Sequence, residues 1–92
     1  MKKENLYREM LDVVCDVTGV SEDDLLSSNR EECSDARFLL VLALSSHLTD
    51  LEICGLLRRT RQGISFIRSN VSKLRKWSVK AYWKEIKLLL RL

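Results

Sequence analysis

Apolar residues in this 92-residue chain recur at steps of three and four, the spacing of one face of an α-helix, in six successive stretches. The stretches cover about residues 3–18, 21–26, 30–47, 49–57, 60–76 and 79–92. The chain contains no proline and only three glycines, so few residues interrupt a helix. The pattern predicts an all-α fold, a compact domain of five or six helices that spans residues 1–92.

The predicted boundaries coincide with residues that commonly cap helices. Ser, Thr and Asn side chains accept hydrogen bonds from the first free amides of a helix, and glycine adopts the left-handed conformation that ends one. Asn29 and Thr49 are each followed by a glutamate three residues later, which is the spacing of a capping box. The candidate N-caps are Ser21, Asn29, Thr49 and Thr60, and Gly19 is the candidate C-terminal cap.

Residues 38–44, in the middle of the third stretch, are nearly all apolar. A helix that is apolar on every side is usually buried by its neighbours, so this segment should belong to the central core helix. It is shorter than the roughly 20 apolar residues that cross a membrane. Arg37 stands immediately before this run and suits either a DNA contact or an ion pair at the edge of the core.

The stretch from Thr49 to Lys76 predicts two helices joined by a polar turn at residues 58–60. The apolar stripe of the second helix consists of Ile64, Ile67, Val71 and Leu74. Its opposite side carries cations, hydroxyls and one amide but no acid. This is the layout of a helix-turn-helix, whose second helix lies in the DNA major groove. The alternative is a solvated basic helix in a small bundle that never binds DNA.

Polar side chains of the second helix and the preceding turn fall into two groups by position. Those in the first turns of the helix lie nearest the groove floor and can read base edges, whereas flanking cations and hydroxyls meet phosphates. The base-reading candidates are Arg61, Gln62, Ser65, Arg68 and Ser69. The phosphate candidates are Arg58, Arg59, Thr60, Ser72, Lys73, Arg75 and Lys76.

Charge is divided unevenly between the two halves of the chain. Residues 1–46 contain five Lys or Arg and ten Asp or Glu, whereas residues 47–92 contain eleven Lys or Arg and three Asp or Glu. The net charges of the halves are −5 and +8, although the whole chain carries only +3. This distribution indicates a basic working face on an acidic support, with double-stranded DNA as the expected partner.

The last stretch, about residues 79–92, predicts a basic amphipathic helix. Lys80, Lys84, Lys87 and Arg91 follow one another at steps of four, three and four, opposite a broad apolar side. The basic side suits phosphates, an anionic membrane surface or plain solvent, and the apolar side suits a homodimer contact. The alternative function is therefore a protein-interaction module, derived from a helix-turn-helix, that dimerises or docks through this helix.

The sequence shows no pattern typical of catalysis or metal binding. Cys15, Cys33 and Cys54 are far apart and His47 is the only histidine, so a zinc site lacks its closely spaced ligands. There is no glycine-rich phosphate loop and no nucleophile beside a base, so we expect no enzyme, cofactor or small-molecule substrate. With reduced thiols, no signal peptide and no membrane span, the expected location is cytoplasmic and nucleoid-associated.

Several segments resemble the C-terminal DNA-binding domain of the bacterial replication initiator DnaA, a member of the Trp-repressor-like helix-turn-helix group. The resemblance covers about residues 10–76. It is carried by Gly-Val-Ser-Glu-Asp-Asp-Leu-Leu-Ser at 19–27, the segment 30–37 with Ala36-Arg37, Leu48-Thr49 with Glu52-Ile53, and Arg59 with Ile64. It implies a DNA-binding protein of bacterial transcription, replication or a mobile element. It also implies that Arg37 reaches into the minor groove and that Arg59 opens the recognition signature.

The chain departs from that family at the residues that read DNA. The family signature continues with Asp-His and two small hydroxyl residues, whereas Thr60, Arg61, Gln62 and Gly63 occupy the matching positions here. The ATPase domain of the initiator is also absent from these 92 residues. The resemblance therefore implies a sequence-specific binder of double-stranded DNA whose target need not be the family's origin box.

Overall fold

Six α-helices and one 3-10 helix form the structure, a computed structural model that describes residues 2–92. In chain order they are α1 (Lys3–Thr18), α2 (Glu22–Ser27), α3 (Glu31–Leu44), α4 (Asp50–Leu57), α5 (Arg61–Ser69), the 3-10 helix (Val71–Arg75) and α6 (Trp77–Leu90). No strand occurs between residues 2 and 92, so the predicted all-α class is confirmed. None of these helices combines the length and hydrophobicity that a membrane crossing requires.

Side-chain and glycine caps set several of these boundaries. Gly19 ends α1 in the left-handed region, with φ 75°, and its amide donates to the Cys15 carbonyl. The Ser21 hydroxyl accepts from the Asp24 amide at the start of α2, at 3.3 Å. Both caps satisfy backbone groups that a helix end leaves without partners, and both agree with the sequence prediction.

The core is built around α3, as the apolar run at 38–44 predicts. Four consecutive residues of α3, Phe38–Val41, are fully buried, because α1, α2, α5 and α6 all pack against this helix. The neighbouring helices contribute Met10, Leu11, Val14, Leu25, Ile64, Val79 and Ile86 to the same core. Burying one such side chain contributes about 1.5–3 kcal/mol, so α3 is the main source of packing energy.

The ends of α3 differ from the prediction of 30–47 with an Asn29 cap. The helix begins at Glu31, and no Asn29 side-chain bond caps it, since the residue at the N-cap position is Arg30. At the other end the hydroxyls of Ser45 and Ser46 donate to the Val41 and Ala43 carbonyls, which satisfies carbonyls of the last turn. The prediction that this helix continues to residue 47 is therefore wrong.

The helix predicted over 60–76 is divided in two. α5 ends at Ser69, Asn70 leaves the helical region with φ −80° and ψ 54°, and a 3-10 helix follows. Val71 is consequently 59% exposed, although the sequence places it in the buried stripe. After the break the chain runs beside α3, where carboxylates bind Lys73 and Lys76.

The last helix begins two residues earlier than the predicted 79–92. Trp77 and Ser78, which the sequence suggests as a break, form the first turn of α6. Val79 and Ile86 anchor the helix in the core, with Tyr82, Trp83 and Leu90 packed around them. Arg91 ends the helix in the left-handed region, with φ 58°.

Candidate nucleic-acid interface

A three-residue turn joins α4 and α5, and hydrogen bonds fix it on both sides. Thr49 and Glu52 form the predicted capping box: the Glu52 amide donates to Thr49 Oγ1 at 3.3 Å, and the Thr49 amide donates to Glu52 Oε1 at 3.0 Å. The hydrogen bond from the Thr49 amide lowers the pKa of Glu52, since it favours the carboxylate form. Thr60 caps α5, as predicted, by accepting from the Gly63 amide at 3.0 Å.

The first two turns of α5 present three polar side chains to solvent. Arg61, Gln62 and Ser65 are exposed, and none of them forms a side-chain hydrogen bond or ion pair within residues 2–92. Ile64 points the opposite way and is fully buried, which fixes the rotation of the helix. Gly63 belongs to the cap, because a Cβ there would lie 3.1 Å from Thr60 Oγ1.

The other two base-reading candidates are engaged within the molecule. Arg68 donates from Nη1 to Asp50 Oδ1 at 2.5 Å and so ties α5 to the first turn of α4. The Ser69 hydroxyl donates to the Phe66 carbonyl at 3.0 Å. The structure therefore leaves the N-terminal half of α5 free to meet a ligand, and uses the C-terminal half to hold the helix in place.

Arg37 and Arg59 are directed inward rather than toward solvent. Arg37 is only 7% exposed and donates to the Leu25 carbonyl at 2.8 Å and the Ser28 carbonyl at 2.6 Å. Arg59 donates to the Leu26 carbonyl at 3.1 Å. Burial, and secondly the nearby Arg59 charge, lower the pKa of Arg37. Both guanidiniums thus stabilise the negative end of α2, and their bonds connect α3 and the turn to that helix.

Lys73 and Lys76 of the predicted phosphate group are bound by carboxylates of α3. Lys73 Nζ lies 2.6 Å from Asp35 Oδ1, and Lys76 Nζ lies 3.0 Å from Asp35 Oδ2 and contacts Glu31. The hydrogen bonds that Lys76 donates to Glu31 and Asp35 raise the pKa of this lysine. Asp35 and Lys73 are largely buried, so this cluster fastens the 3-10 helix to the core rather than offering free charge.

Arg58 and Arg75 keep free side chains on either side of α5. Both are exposed and lack a side-chain hydrogen bond or ion pair in the part of the chain that the structure describes. Arg58 also ends α4 in the left-handed region, with φ 55° and ψ 45°, a conformation that non-glycine residues rarely adopt. Ser72 donates instead to Asn70 Oδ1 at 2.8 Å.

The local sequence pattern does not reveal that carboxylates of α3 neutralise lysines of the basic segment after α5. The signal was Asp35, an acidic residue beside the apolar run of α3. A buried carboxylate requires a cation or several hydrogen-bond donors. Its partners lie 38 and 41 residues later in the chain, beyond the reach of a local pattern.

The described residues offer little for metal or thiol chemistry. Within residues 2–92, no three His, Cys, Asp or Glu side chains are grouped as a metal ion would need. All three cysteines are free thiols; Cys33 is buried, and Cys15 and Cys54 are half-buried. Burial raises the pKa of the Cys15 thiol and so disfavours its reactive thiolate form.

Comparisons with models of protein families, with curated proteins and with solved structures found no match to this chain. The resemblance seen in the sequence therefore stays an expectation. The case for a function depends on the side chains at the start of α5 and in the preceding turn.

Proposed function

We propose that the chain binds double-stranded DNA as a helix-turn-helix module rather than acting as an enzyme, with α5 in the major groove. The observation that carries the proposal is the free polar surface of Arg61, Gln62 and Ser65 on a helix whose other side is locked by Ile64. A reading helix needs both properties, because base contacts require available donors and a fixed orientation.

The three side chains have the chemistry of direct base readout. An arginine can donate two hydrogen bonds to O6 and N7 of guanine, and a glutamine can pair with N6 and N7 of adenine. Ser65 lies one turn after Arg61 and can bond to several base edges. The first turn of α5 has no acidic residue, so the positive end of its dipole also favours approach to the polyanion.

The flanking cations suit the phosphate backbone. Arg58 precedes α5 and Arg75 follows it, and both have free guanidiniums. Contacts of this kind set the position of a protein on the duplex without reading sequence. We infer a role in transcription or in replication, including that of a mobile element, because a small module of this kind acts by occupying a DNA site.

The test is selection from a randomised double-stranded DNA pool, followed by measurement of affinity for the enriched motif. We expect one enriched motif, and we expect Arg61→Ala to weaken binding to it by about 1–3 kcal/mol and to relax preference at one position. Arg30→Ala, which removes an exposed arginine from the acidic half, is the control and should keep the motif.

Two outcomes would contradict the proposal. A pool that shows no binding even at low salt would remove the DNA-binding function altogether. Binding that enriches no sequence, or an Arg61→Ala protein that selects an unchanged motif with unchanged affinity, would mean that the start of α5 reads no bases.

A further inference from the structure

A groove lies between α6 and the 3-10 helix, and no residue of α5 lines it. Leu74 and Trp83 form its apolar floor, and Lys80, Lys84 and Lys87 line it. Its volume is about 440 Å³, within the range of about 300–1,000 Å³ that ligand sites occupy. Lys87 Nζ lies 5.8 Å from the centre of the Trp83 ring, so the ammonium partly covers the indole.

The lysines belong to a row of four cations without an acidic partner in the part of the chain that the structure describes. Lys80, Lys84, Lys87 and Arg91 are exposed, and no acidic side chain of residues 2–92 lies within salt-bridge distance of them. The row extends about 16 Å along α6. It differs in this respect from Lys73 and Lys76, which carboxylates of α3 neutralise.

Large apolar side chains border the row on its outer side. Trp77 is 84% exposed and Leu88 is 73% exposed. They are eleven residues apart, about three helical turns, so they lie on the same side of α6. A row of cations with exposed apolar side chains on both sides is typical of a surface that binds a partner, because water solvates the apolar part poorly.

A second copy of the chain does not fit this surface. In an antiparallel pairing of two α6 helices, each row of cations would face the same row of the other copy. The acidic half of a second copy would supply carboxylates, but residues 2–50 expose none of their large apolar side chains to enter the groove. The next residue, Leu51, is exposed, but the carboxylates beside it are engaged, that of Asp50 by Arg68 and that of Glu52 by the Thr49 amide. The occupant must therefore bring acidic and apolar side chains together.

We propose that the α6 surface, defined as Leu74, Trp77, Lys80, Trp83, Lys84, Lys87, Leu88 and Arg91, binds an acidic amphipathic helix of another protein. Apolar residues of that helix, spaced three and four apart, occupy the groove and cover Trp77. Its flanking carboxylates pair with the cationic row. The surface is separate from the DNA-reading side chains of α5, so the two activities can be tested independently.

The probe is a synthetic helical peptide of about 18 residues, with leucines at the a and d positions of a heptad and glutamates beside them. The full chain is titrated with this peptide by calorimetry at about 0.15 M salt, and amide chemical shifts map the contact. We expect saturable binding and shifts confined to α6 and the 3-10 helix. A peptide with lysine in place of each glutamate keeps the leucines and should not bind.

The variant Lys80→Glu/Lys84→Glu reverses two exposed charges of the row. Lys80 is in the first turn of α6, where a carboxylate is favourable to the helix, so the variant should fold; circular dichroism checks this. We expect it to weaken peptide binding about tenfold or more, because like charges then face each other. The matched control Arg58→Glu/Arg61→Glu makes the same charge change beside α5 and should lose DNA but keep the peptide.

Several results would overturn the docking proposal. They include no peptide binding by the wild-type chain, equal binding by the Lys80→Glu/Lys84→Glu variant, and chemical shifts centred on α5. Binding to phosphatidylglycerol vesicles through Lys80 and Lys84, without peptide binding, would assign the surface to a membrane instead. A loss of DNA affinity in this variant as large as in the control would assign the row to DNA phosphates.

Discussion

Arginine side chains occupy three kinds of environment in this chain. Arg37 and Arg59 donate to carbonyls of α2, Arg68 pairs with a carboxylate, and Arg58 and Arg61 are free in solvent. A guanidinium that donates to a free carbonyl at a helix end stabilises the folded state. Only arginines without such an acceptor nearby are therefore available to bind a ligand. The distinction separates structural cations from candidate DNA contacts.

Arg58 combines a strained backbone with a free side chain. Substitution with glycine relieves the left-handed conformation, and we expect Arg58→Gly to raise the free energy of unfolding by up to about 1 kcal/mol. The same change removes the phosphate contact proposed for Arg58, so we expect DNA affinity to fall. Urea denaturation and DNA titration on one preparation measure the two opposite effects.

Arg91→Gly is the matched control, since Arg91 ends α6 with nearly the same backbone angles. It should change DNA affinity less than Arg58→Gly does. If the Arg58→Gly protein binds DNA as tightly as the wild-type chain, Arg58 makes no phosphate contact.

For individual side chains, the sequence predicted contacts between near neighbours in the chain and missed distant ones. The caps formed by Ser21, Thr49 and Thr60 were predictable because donor and acceptor lie within three residues of each other. The inward position of Arg37 was not, because its acceptors are carbonyls 12 and 9 residues earlier, exposed only when α2 ends beside α3. The minor-groove contact that the resemblance implies for Arg37 has no support from this buried position.

At the element scale, the paired helices α4 and α5 depend on the cap that begins each of them. The capping box of α4 includes an ionised Glu52, whose lowered pKa shows that folding favours the carboxylate. A carboxyl group with a lower pKa in the folded state stabilises the fold above its unfolded pKa and loses that contribution as the pH falls through the folded value. The loss therefore lies below the ordinary glutamate pKa of 4.5.

Glu52→Gln tests this dependence, because glutamine keeps the shape and the capping hydrogen bond but cannot ionise. We expect the wild-type chain to be more resistant to urea than the variant at about pH 7, and the difference to shrink at about pH 3. Glu85→Gln, on the exposed side of α6, is the control. A difference between wild type and Glu52→Gln that is constant over this range would mean that the cap does not depend on the charge.

Periodicity predicted the number of helices but not their lengths. The 60–76 stretch divides at Asn70, and Lys73 and Lys76 beyond the break pair with Asp35 of α3, a long-range contact that no local pattern contains. The sequence also suggests a break at Trp77, because this residue does not continue the apolar stripe. In the structure Trp77 is the first residue of α6.

At the scale of the whole molecule, the uneven charge of the two halves is partly cancelled by the fold. Carboxylates of α3 neutralise the two lysines around the 3-10 helix, which leaves free cations beside α5 and along α6. The salt dependence of DNA binding should follow this free set rather than the total count of cations, because only released counterions contribute.

Arg75→Ala and Lys73→Ala compare a free cation with a paired one from the same 3-10 helix. We expect Arg75→Ala to lower the slope of log affinity against log salt concentration by about 0.9. Lys73→Ala should leave the slope unchanged, and should lower the resistance to urea because Asp35 loses a partner. A reduced slope for Lys73→Ala would show that its ion pair opens on DNA.

The nine-residue length of α5 limits how much sequence one copy of the chain can distinguish. Such a helix is about 13.5 Å long, comparable to about four base pairs of duplex. A four-base-pair word occurs by chance about once in 256 base pairs, so one copy cannot select a unique site among the competing sites of a genome. We expect natural targets to contain several copies of a short sequence motif, whose number and spacing together specify the site.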